Sequence, residues 1–418
     1  MQYYDSNLGE PPKYFFLRKE LILRAGTRGF AIYNLESGDL ISINANIGSI
    51  LVMAEKGCAI TEISVTLKIN QEKIINILDD IAVQKLGSFY NTKIYIEKHK
   101  KGRPYKRNPN EIPTIFKCFI ELPGECVLNC PFCGYPTLFA CSTCSKISGK
   151  PDVLLLKMFL TRLLKLNCMS LVFHGGDPIA NLDQVVGIVD YCRQLGYERD
   201  ISVVTNGSLI DEKVVNILCR YKLGLVIPLS SFGLTERASK LLAVADLVNN
   251  NNIPLTITSV ITKDDLNVAD IGTFAMQMKP QKMTKAMVYD RHHNYISEKN
   301  GVNSYKTLLR VNTDGYYHRK WHHPCLWGNL AVSVAGDILP CPYLKKEIMS
   351  NLKDDNYLDQ VFENGSIQEY WDLPLHKIDK CMDCEFQLGC MDCRALETQL
   401  TSDLYGKYTC ALKEDERL

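Results

Sequence analysis

Residues 114–289 alternate between short apolar β-type runs and amphipathic helical patterns, and this alternation restricts the fold more than any other feature. The β-type runs are Thr114–Glu121, Ser170–His174, Ile201–Thr205, Leu223–Leu229, Leu255–Ile261 and Ala286–Tyr289. The helical patterns are Leu154–Leu166, Leu182–Leu195, Glu212–Tyr221, Glu236–Asn249 and Asp270–Met278. Such alternation predicts a parallel sheet covered by helices, with ligands at the carboxyl ends of the strands. We therefore predict an α/β domain over residues 114–310 with about six strand–helix units, where a closed barrel needs eight.

Three cysteines, Cys126, Cys130 and Cys133, follow the first of these runs. Cysteine thiolates hold iron–sulfur clusters, normally four to a cluster, so three thiolates on one loop can hold a 4Fe–4S cube and leave one iron open. A zinc knuckle is the alternative, but zinc sites usually take four ligands arranged as two pairs. The spacing C-x3-C-x2-C, with Phe132 before the last cysteine, resembles the radical S-adenosylmethionine (SAM) superfamily. This resemblance implies a partial (β/α)6 barrel, in which the open iron binds SAM and the reduced cluster cleaves it to a 5′-deoxyadenosyl radical.

Further motifs at the predicted strand ends fit the same resemblance. The stretch Gly175-Gly176-Asp177-Pro178 is similar to the superfamily's Gly-Gly-Glu-Pro motif, which holds the amino group of SAM, although Asp has a shorter reach than Glu. Asn206 belongs to a Thr-Asn-Gly motif that a simple turn would also explain, and Ser230 follows the fourth run. Residues 262–265 resemble the end of the fifth strand. The predicted SAM contacts are Phe132, Gly175, Gly176, Asp177, Pro178, Asn206 and Ser230, and no catalytic base is predicted.

Seven cysteines near the carboxyl terminus form a second pattern: Cys325, Cys341, Cys381, Cys384, Cys390, Cys393 and Cys410. Their paired C-x2-C elements are compatible with two zinc ribbons. The array also resembles the SPASM domain, which follows radical SAM barrels and binds two auxiliary 4Fe–4S clusters. The resemblance implies one cluster on Cys381, Cys384, Cys390 and Cys410, and another on Cys325, Cys341 and Cys393. The last spacing is x2 where x3 is usual. The second cluster lacks a fourth cysteine, so a non-cysteine ligand, a cysteine from elsewhere or a substrate atom could complete it.

The remaining cysteines fall into two sets. Cys141 and Cys144 form another C-x2-C, which free thiols, a redox pair or additional ligands would equally explain. The other set lies singly in apolar runs, where buried, inert core thiols are expected. Its members are Cys58, Cys118, Cys168, Cys192 and Cys219.

Residues 1–97 read as a small sheet followed by helices. Four β-type runs, at 14–18, 21–24, 30–33 and 39–43, precede helical stripes at 60–67 and 74–81, and another β-type run covers 89–96. This order predicts an α+β domain similar to a winged helix–turn–helix. DNA binding is one reading, but the predicted helices are acidic. The runs from Gly29 to Asn44 instead resemble the peptide-recognition domain of peptide-modifying enzymes, a family that includes the small chaperone of pyrroloquinoline quinone biosynthesis. That resemblance implies that a leader peptide adds as a strand to the sheet edge.

A basic stretch at 98–113 reads as a solvated linker, with a docking surface for an acidic peptide as the alternative.

Composition limits the cellular compartment and the partners that the protein can have. The 418 residues include 17 cysteines, which favours metal ligands in a reducing compartment over a secreted disulfide framework. The net charge of +1 gives no general attraction to nucleic acid or anionic lipid. Neither a signal peptide nor a membrane span is visible. We therefore expect a cytoplasmic protein.

Together these features predict an enzyme that grips the leader of a ribosomally made precursor peptide and modifies the core, closing a thioether or carbon–carbon crosslink. The implied cofactors are SAM, one SAM-binding 4Fe–4S cluster and two auxiliary clusters held over residues 311–418. The implied partners are the precursor peptide and an electron donor such as flavodoxin or ferredoxin, with no nucleic acid and no membrane. The alternatives are a maturase of folded proteins similar to the sulfatase maturases, an enzyme acting on a small molecule, and a zinc or iron–sulfur regulator that binds DNA.

Overall fold

The computed structural model describes residues 13–98, 114–138, 140–141, 144–147, 149–261, 268–288, 310–362 and 365–410. The basic linker predicted at 98–113, apart from Lys98, lies outside the described residues, as does the motif at 262–265. Within the described ranges, no helix combines the length and the apolar character that crossing a membrane requires.

The first eighty residues described form an α+β unit. Its strands are β1 (Tyr14–Leu17), β2 (Leu21–Gly26), β3 (Gly29–Asn34), β4 (Leu40–Ile43) and β5 (Gly87–Tyr90), and its helices are α1 (Ala45–Glu55), α2 (Ile60–Leu67) and α3 (Gln71–Val83). Strands β2, β3 and β4 form a three-stranded antiparallel sheet, while β1 pairs antiparallel with β5. The four early strands and the helices α2 and α3 confirm the sequence prediction. The predicted strand at 89–96 is wrong beyond Tyr90, because regular structure ends there.

Helix α1 was not predicted. It begins directly after β4, where the side chain of Asn44 accepts a hydrogen bond from the backbone N–H of Ile47 at 2.9 Å. Its apolar residues run continuously from Ile50 to Met53, so the sequence shows no helical stripe. Asn70 caps α3 in a similar way, accepting from the N–H of Glu72 at 2.8 Å. Helix α1 was therefore preceded by a capping residue, Asn44, but its sequence lacks the spacing of apolar residues that predicts a helix.

The central region contains the predicted barrel strands. Its strands are β6 (Thr114–Ile115), β7 (Lys117–Leu122), β8 (Thr137–Leu138), β9 (Asn167–Cys168), β10 (Ser170–Gly175), β11 (Asp200–Val204), β12 (Leu223–Leu229), β13 (Leu255–Ile261) and β14 (Lys282–Val288). Its helices are α4 (Val153–Leu163), α5 (Leu182–Gln194), α6 (Glu212–Arg220), α7 (Leu234–Asn250) and α8 (Val268–Gln277). Strands β7, β10, β11, β12, β13 and β14 are neighbours in that order and all run parallel. The α/β class and the six-strand count are confirmed.

The carboxy-terminal region continues the same sheet. Its elements are α9 (Thr313–Arg319), β15 (Asn329–Val332), β16 (Asp337–Leu339), β17 (Ser350–Asn351), α10 (Tyr357–Phe362), α11 (Ser366–Trp371) and α12 (Arg394–Thr401). Strand β15 pairs in parallel with β7, so the first barrel strand has neighbours on both sides. The resulting sheet runs β17-β16-β15-β7-β10-β11-β12-β13-β14-β8. The boundary expected at 310/311 therefore does not separate two sheets.

The small sheet of the first region packs on the cysteine-rich segment 383–390. The hydroxyl of Tyr33 donates to the carbonyl of Glu385 at 2.6 Å, and the ring of Tyr33 joins an apolar cluster with Phe386 and Leu388. The N–H of Thr27 donates to the carbonyl of Asp383 at 2.9 Å. Because α1 and α3 cover the opposite face, both faces of the small sheet are packed against other parts of the chain.

Candidate active site and cysteine groups

A pocket lies at the carboxyl ends of the parallel strands, where the sequence places the motifs. Its lining includes seven of the predicted site residues: Cys126, Cys130, Phe132, Cys133, Gly176, Asn206 and Ser230. The remaining three predicted SAM contacts, Gly175, Asp177 and Pro178, are not part of this lining. The three cysteines come from the loop after β7, Gly176 follows β10, Asn206 follows β11 and Ser230 follows β12. The fold thus gathers residues that are about a hundred positions apart in the sequence.

Two glycines allow the loops of this pocket to approach each other. A Cβ on Gly176 would lie 1.8 Å from the carbonyl oxygen of Gly124 in the cluster loop. Gly175 has φ of +141°, and a Cβ there would lie 2.1 Å from the carbonyl oxygen of Leu122 at the end of β7. Both contacts exclude any side chain. The double glycine therefore acts by close backbone packing against the segment that carries the cysteines.

The carboxylate of Asp177 is fully buried and already has partners. It accepts hydrogen bonds from the Thr205 hydroxyl at 2.9 Å, the Asn206 N–H at 3.2 Å and the Ile179 N–H at 3.1 Å. Burial raises the pKa of Asp177, and these hydrogen bonds oppose the rise. The carboxylate thus positions the Thr-Asn-Gly loop from behind the pocket, whereas the sequence predicted that it would face the amino group of SAM. That predicted contact stays a prediction.

The thiols at the pocket differ in their surroundings. Burial is the main influence on Cys130 and raises its pKa. The Cys144 thiol donates a hydrogen bond to Cys133, which lowers the pKa of Cys133 to about 7. Asn206 donates from Nδ2 to the sulfur of Cys126 at 3.5 Å. Thiolates are the form that binds iron, so hydrogen bonds to these sulfurs favour the ligand state. The donor set fits a 4Fe–4S cluster with three protein ligands.

Sequence reasoning missed two cations at the pocket. Arg237, one turn into α7, lines it and donates from Nη1 to the carbonyl of Asn206 at 3.2 Å. Lys146 lines it as well and helps to lower the pKa of Cys133. A basic residue eight positions after the end of β12 was the only available sequence signal for Arg237. Both side chains supply positive charge next to the cysteine thiols.

The first auxiliary group unites Cys381, Cys384, Cys390 and Cys410. Burial is the largest cause that raises the pKa of Cys384 to about 12, and the neighbouring Cys390 and Cys410 raise it further. Burial likewise raises the pKa of Cys381, with added contributions from Cys390 and Cys384. These thiols therefore lie near enough to influence one another's charge, and their assignment to one cluster stays a prediction.

The second auxiliary group unites Cys325, Cys341 and Cys393 and adds Cys141. The pKa of Cys393 is raised first by burial and then by the charges of Cys325 and Cys341. The Cys141 thiol forms side-chain hydrogen bonds with Cys325 and Cys341. Its hydrogen bond to Cys341 lowers the pKa of Cys341. Cys141 was one of the two cysteines whose role the sequence left open.

A buried ionic network lies beside both auxiliary groups. Asp392 accepts from Arg394 Nη2 at 2.6 Å, from Lys407 Nζ at 2.7 Å and from His323 Nε2 at 3.0 Å. Lys407 also donates to Glu397 at 2.7 Å. Burial alone would raise the pKa of Asp392, but Lys407 and Arg394 outweigh it and hold the pKa well below 3.8. No sequence pattern predicted this network.

The network contacts the backbone beside cysteines of both groups. Asp392 and Arg394 flank Cys393, and Nδ1 of His323 accepts from the N–H of Cys325 at 3.1 Å. Glu397 accepts from the N–H of Thr409, directly before Cys410, at 3.2 Å. The salt bridges therefore fix the chain at three cysteines of the two auxiliary groups.

The predicted core cysteines divide in two. Cys118, Cys168 and Cys192 are buried, and burial raises the pKa of Cys168 to about 11 and that of Cys192 to about 12. Cys58 and Cys219 are only half-buried, so the prediction is wrong for them. Across the ranges the structure covers, no three His, Cys, Asp or Glu side chains converge as the ligands of a single metal ion would. A cube differs from a single ion because each thiolate binds a different iron atom.

Comparison with known proteins agrees with this site. Residues 120–255, which contain the cluster loop, the double glycine and the Thr-Asn-Gly loop, match the model of the radical SAM superfamily. Residues 120–255 therefore form a radical SAM domain, as the cluster-loop cysteines predicted.

Relatives extend the comparison beyond this domain. The chain is 22% identical over 279 residues to the radical SAM cyclopropyl synthase TigE of Paramaledivibacter caminithermalis, a match that covers 60% of this chain and 58% of TigE. It is 21% identical to the antilisterial bacteriocin subtilosin biosynthesis protein AlbA of Bacillus subtilis, covering 74% of this chain and 73% of AlbA. Streptococcus suis SuiB, solved with its precursor peptide SuiA, has the same fold with a TM-score of 0.51 and 16% identity, over 95% of this chain and all of SuiB.

Proposed function

We propose that this chain binds the leader of a ribosomally synthesised precursor peptide and modifies the peptide's core by radical SAM chemistry. The observation that carries the proposal is the convergence of Cys126, Cys130 and Cys133 on a pocket at the carboxyl ends of the parallel strands. The likeness to SuiB over 95% of the chain supports a peptide as the substrate. TigE and AlbA, both named for biosynthetic roles, agree with a modifying enzyme.

The residues of the pocket would hold the cofactors in distinct ways. When bound, the 4Fe–4S cluster and SAM supply the 5′-deoxyadenosyl radical that abstracts a hydrogen atom from the substrate. Cys126, Cys130 and Cys133 would provide three thiolates, and Gly176 would let SAM approach the backbone. The guanidinium of Arg237 offsets the negative charge of the thiolates and can pair with the carboxylate of SAM. Asp177 would hold Asn206 in place.

The two auxiliary groups would hold further 4Fe–4S clusters. Closing a thioether or carbon–carbon crosslink after hydrogen abstraction releases one proton and one electron. Thiolates of the two groups are the candidate ligands of a cluster able to take that electron. An external donor such as flavodoxin or ferredoxin would reduce the SAM-binding cluster.

The leader would add as a strand beside β4. The residues just before β4 already pair with another segment, because the N–H of Val311 donates to the carbonyl of Gly38 at 2.9 Å and Asp39 forms an antiparallel bridge with Arg310. The N–H of Asn34 donates to the carbonyl of Asp39, and hydrogen-bonded pairs alternate with non-hydrogen-bonded pairs along two antiparallel strands. Ser42 therefore falls in a non-hydrogen-bonded pair, and the N–H of this exposed residue points away from β3. An added strand gains affinity from such free backbone groups.

Substitution by proline tests the edge directly. Ser42→Pro removes the outward N–H, and we expect about tenfold weaker leader binding from the loss of about one hydrogen bond. Ser42→Ala is the matched control, and Ala25→Pro applies the same change to the other outer strand, β2. Fluorescence anisotropy with the leader encoded by a short reading frame beside the gene would measure the affinities. If Ala25→Pro weakened leader binding and Ser42→Pro did not, the leader would add beside β2, which would contradict this proposal.

Mass spectrometry of the product tests the function as a whole. The anaerobically reconstituted protein, given SAM, dithionite and the full precursor peptide, should produce a peptide lighter by two hydrogen atoms. The same peptide without its leader should react much more slowly. Equal turnover of the leaderless peptide would favour a maturase of the sulfatase-maturase kind, which needs no leader. A small-molecule enzyme would leave both peptides unchanged, and a DNA-binding regulator would not cleave SAM.

A further inference from the structure

The second auxiliary group is incomplete if only the carboxy-terminal cysteines are counted. Cys381, Cys384, Cys390 and Cys410 lie together, which leaves Cys325, Cys341 and Cys393 with three thiols. A 4Fe–4S cube with all-cysteine ligation needs four. An open fourth iron would be available to a substrate thiolate, whereas a fourth cysteine would close the cluster.

Cys141 lies beside these thiols although it belongs to the barrel region. Its thiol forms hydrogen bonds with Cys325 and Cys341. Packing independent of the thiols supports this position, because Leu138, three residues earlier, shares one apolar cluster with Leu326, Cys341 and Cys393. Strand β8, which contains Leu138, is in turn fixed to β14 by antiparallel pairing.

The segment that carries Cys141 also reaches the SAM pocket. Cys144 lines that pocket, and its thiol contacts Cys133. The carbonyl of Cys144 accepts from the N–H of Gly134 at 3.0 Å, and the N–H of Ser145 donates to Gly175 at 2.9 Å. The two cysteines of this C-x2-C therefore face different cysteine groups, so they do not form a redox pair with each other.

We propose that Cys141 is the fourth ligand of the auxiliary cluster held by Cys325, Cys341 and Cys393. This inference deepens the proposed function and rests on its assignment of a 4Fe–4S cluster to this group. The Cys141 thiol loses its proton as its sulfur bonds to iron, with no change in oxidation state. The cluster is then closed, so it does not take a substrate thiolate as a ligand. The same bond ties the carboxy-terminal region to the segment beside the SAM pocket.

Iron content and electron paramagnetic resonance (EPR) test the ligand. The parent for the test is the Cys126→Ala/Cys130→Ala/Cys133→Ala variant, which lacks the SAM-cluster thiols and should keep about eight irons as two cubes. Adding Cys141→Ala should lower the iron content or change the EPR spectrum of the reduced clusters, for example by conversion to a 3Fe–4S centre. Cys219→Ser, another half-buried thiol, is the matched control and should leave both readouts as in the parent.

The unsubstituted protein offers a second readout that does not depend on the folding of a variant. In the reconstituted protein, iodoacetamide should label Cys141 as slowly as it labels Cys325 and Cys341. After removal of iron by a chelator, all three should react faster. Peptide mass spectrometry locates the label.

The outcomes separate this inference from the function on which it rests. A parent variant with about eight irons, whose iron content and EPR spectrum do not change on adding Cys141→Ala, overturns the Cys141 ligand alone. Fast labelling of Cys141 in the reconstituted protein, with Cys325 and Cys341 protected, does the same. A parent variant that retains zinc in place of iron overturns the auxiliary clusters, and the inference with them.

Discussion

At the candidate SAM pocket, the three thiols come from one short loop, whereas the second auxiliary group collects Cys141, Cys325, Cys341 and Cys393 from segments far apart in the sequence. The pocket loop is shaped by backbone contacts, such as Gly176 against Gly124. The auxiliary groups are supported by buried charges, with Asp392 at the centre of the network. A local ligand set can thus be positioned by close backbone packing at a strand end. A dispersed set requires long-range interactions that fix several chain segments at once.

The largest expected effect is the loss of SAM cleavage at the pocket while the auxiliary groups keep their iron. Replacing Cys126, Cys130 and Cys133 together by Ala should reduce 5′-deoxyadenosine formation to the background level, because no thiolate remains to hold the SAM-binding cluster. About two thirds of the iron should remain in the auxiliary groups. Liquid chromatography and iron determination measure the two quantities. Deoxyadenosine formation at the unsubstituted rate would show that the pocket is not the catalytic centre.

The next effect concerns the charges beside the auxiliary groups. Lys407→Met leaves Asp392 and Glu397 buried without their shared cation, and we expect a loss of about 3–5 kcal/mol in the free energy of unfolding. The exposed pair of Lys222 and Glu198 provides the control, since Lys222→Met should cost about 1 kcal/mol or less. Chemical denaturation of both reconstituted variants measures the difference. Equal costs would mean that the network does not stabilise this region.

The same network should make stability depend on pH in the acid range. The folded-state pKa of Asp392 lies well below 3.8, because Lys407 and Arg394 outweigh the effect of burial. The stability that Asp392 contributes is therefore present above pH 3.8 and lost as the pH falls through its lower folded-state value. Stability measured between neutral and acid pH should show a smaller loss in Asp392→Asn than in the unsubstituted protein. An equal loss in both would contradict the assigned role.

A smaller effect tests the backbone packing of the pocket. Gly176→Ala places a Cβ within 1.8 Å of the Gly124 carbonyl oxygen, so the cluster loop must shift, at a cost of about 1–3 kcal/mol. Gly187→Ala in α5 meets no atom within 4 Å and should be neutral or stabilising, since Ala favours a helix. SAM affinity should fall for Gly176→Ala only. Unchanged SAM binding in Gly176→Ala would show that SAM binding does not require the close approach of Gly176 to Gly124.

The smallest effect concerns the cation that sequence reasoning missed. Arg237→Gln keeps a donor but removes the charge, and we expect about tenfold weaker SAM binding from the loss of about 1.4 kcal/mol. Arg220→Gln, at the end of α6 and away from the pocket, is the control. Isothermal titration with SAM measures both. Equal affinities would remove Arg237 from the binding site.

The sequence predicted the barrel well because its signals are local. Each strand such as β12, at Leu223–Leu229, is an apolar run bounded by turns, and each motif lies at a strand end. Helix α1 was missed because its apolar residues are continuous and its periodicity is hidden. Strand β15 was missed as a barrel neighbour because its pairing with β7 joins positions about two hundred residues apart.

The candidate site shows the same limit. The cluster-loop spacing identified the three thiols of the pocket without any structure. The hydrogen-bond partners of Asp177 could not be predicted, because its buried carboxylate accepts from Thr205 and Asn206, which belong to the loop after the next strand. The partners of Cys141 could not be predicted either, since its contacts with Cys325 and Cys341 depend on how β8 packs against the carboxy-terminal region. Spacing identifies ligands within one loop, but only the fold identifies ligands shared between segments.

The most direct test of the account combines two readouts on one sample. The protein, reconstituted anaerobically with iron and sulfide, would be given SAM and dithionite, and 5′-deoxyadenosine and metal per chain would be quantified. The account predicts deoxyadenosine together with about twelve irons, the content of three cubes. Retained zinc in place of iron, with no deoxyadenosine formed, would contradict it.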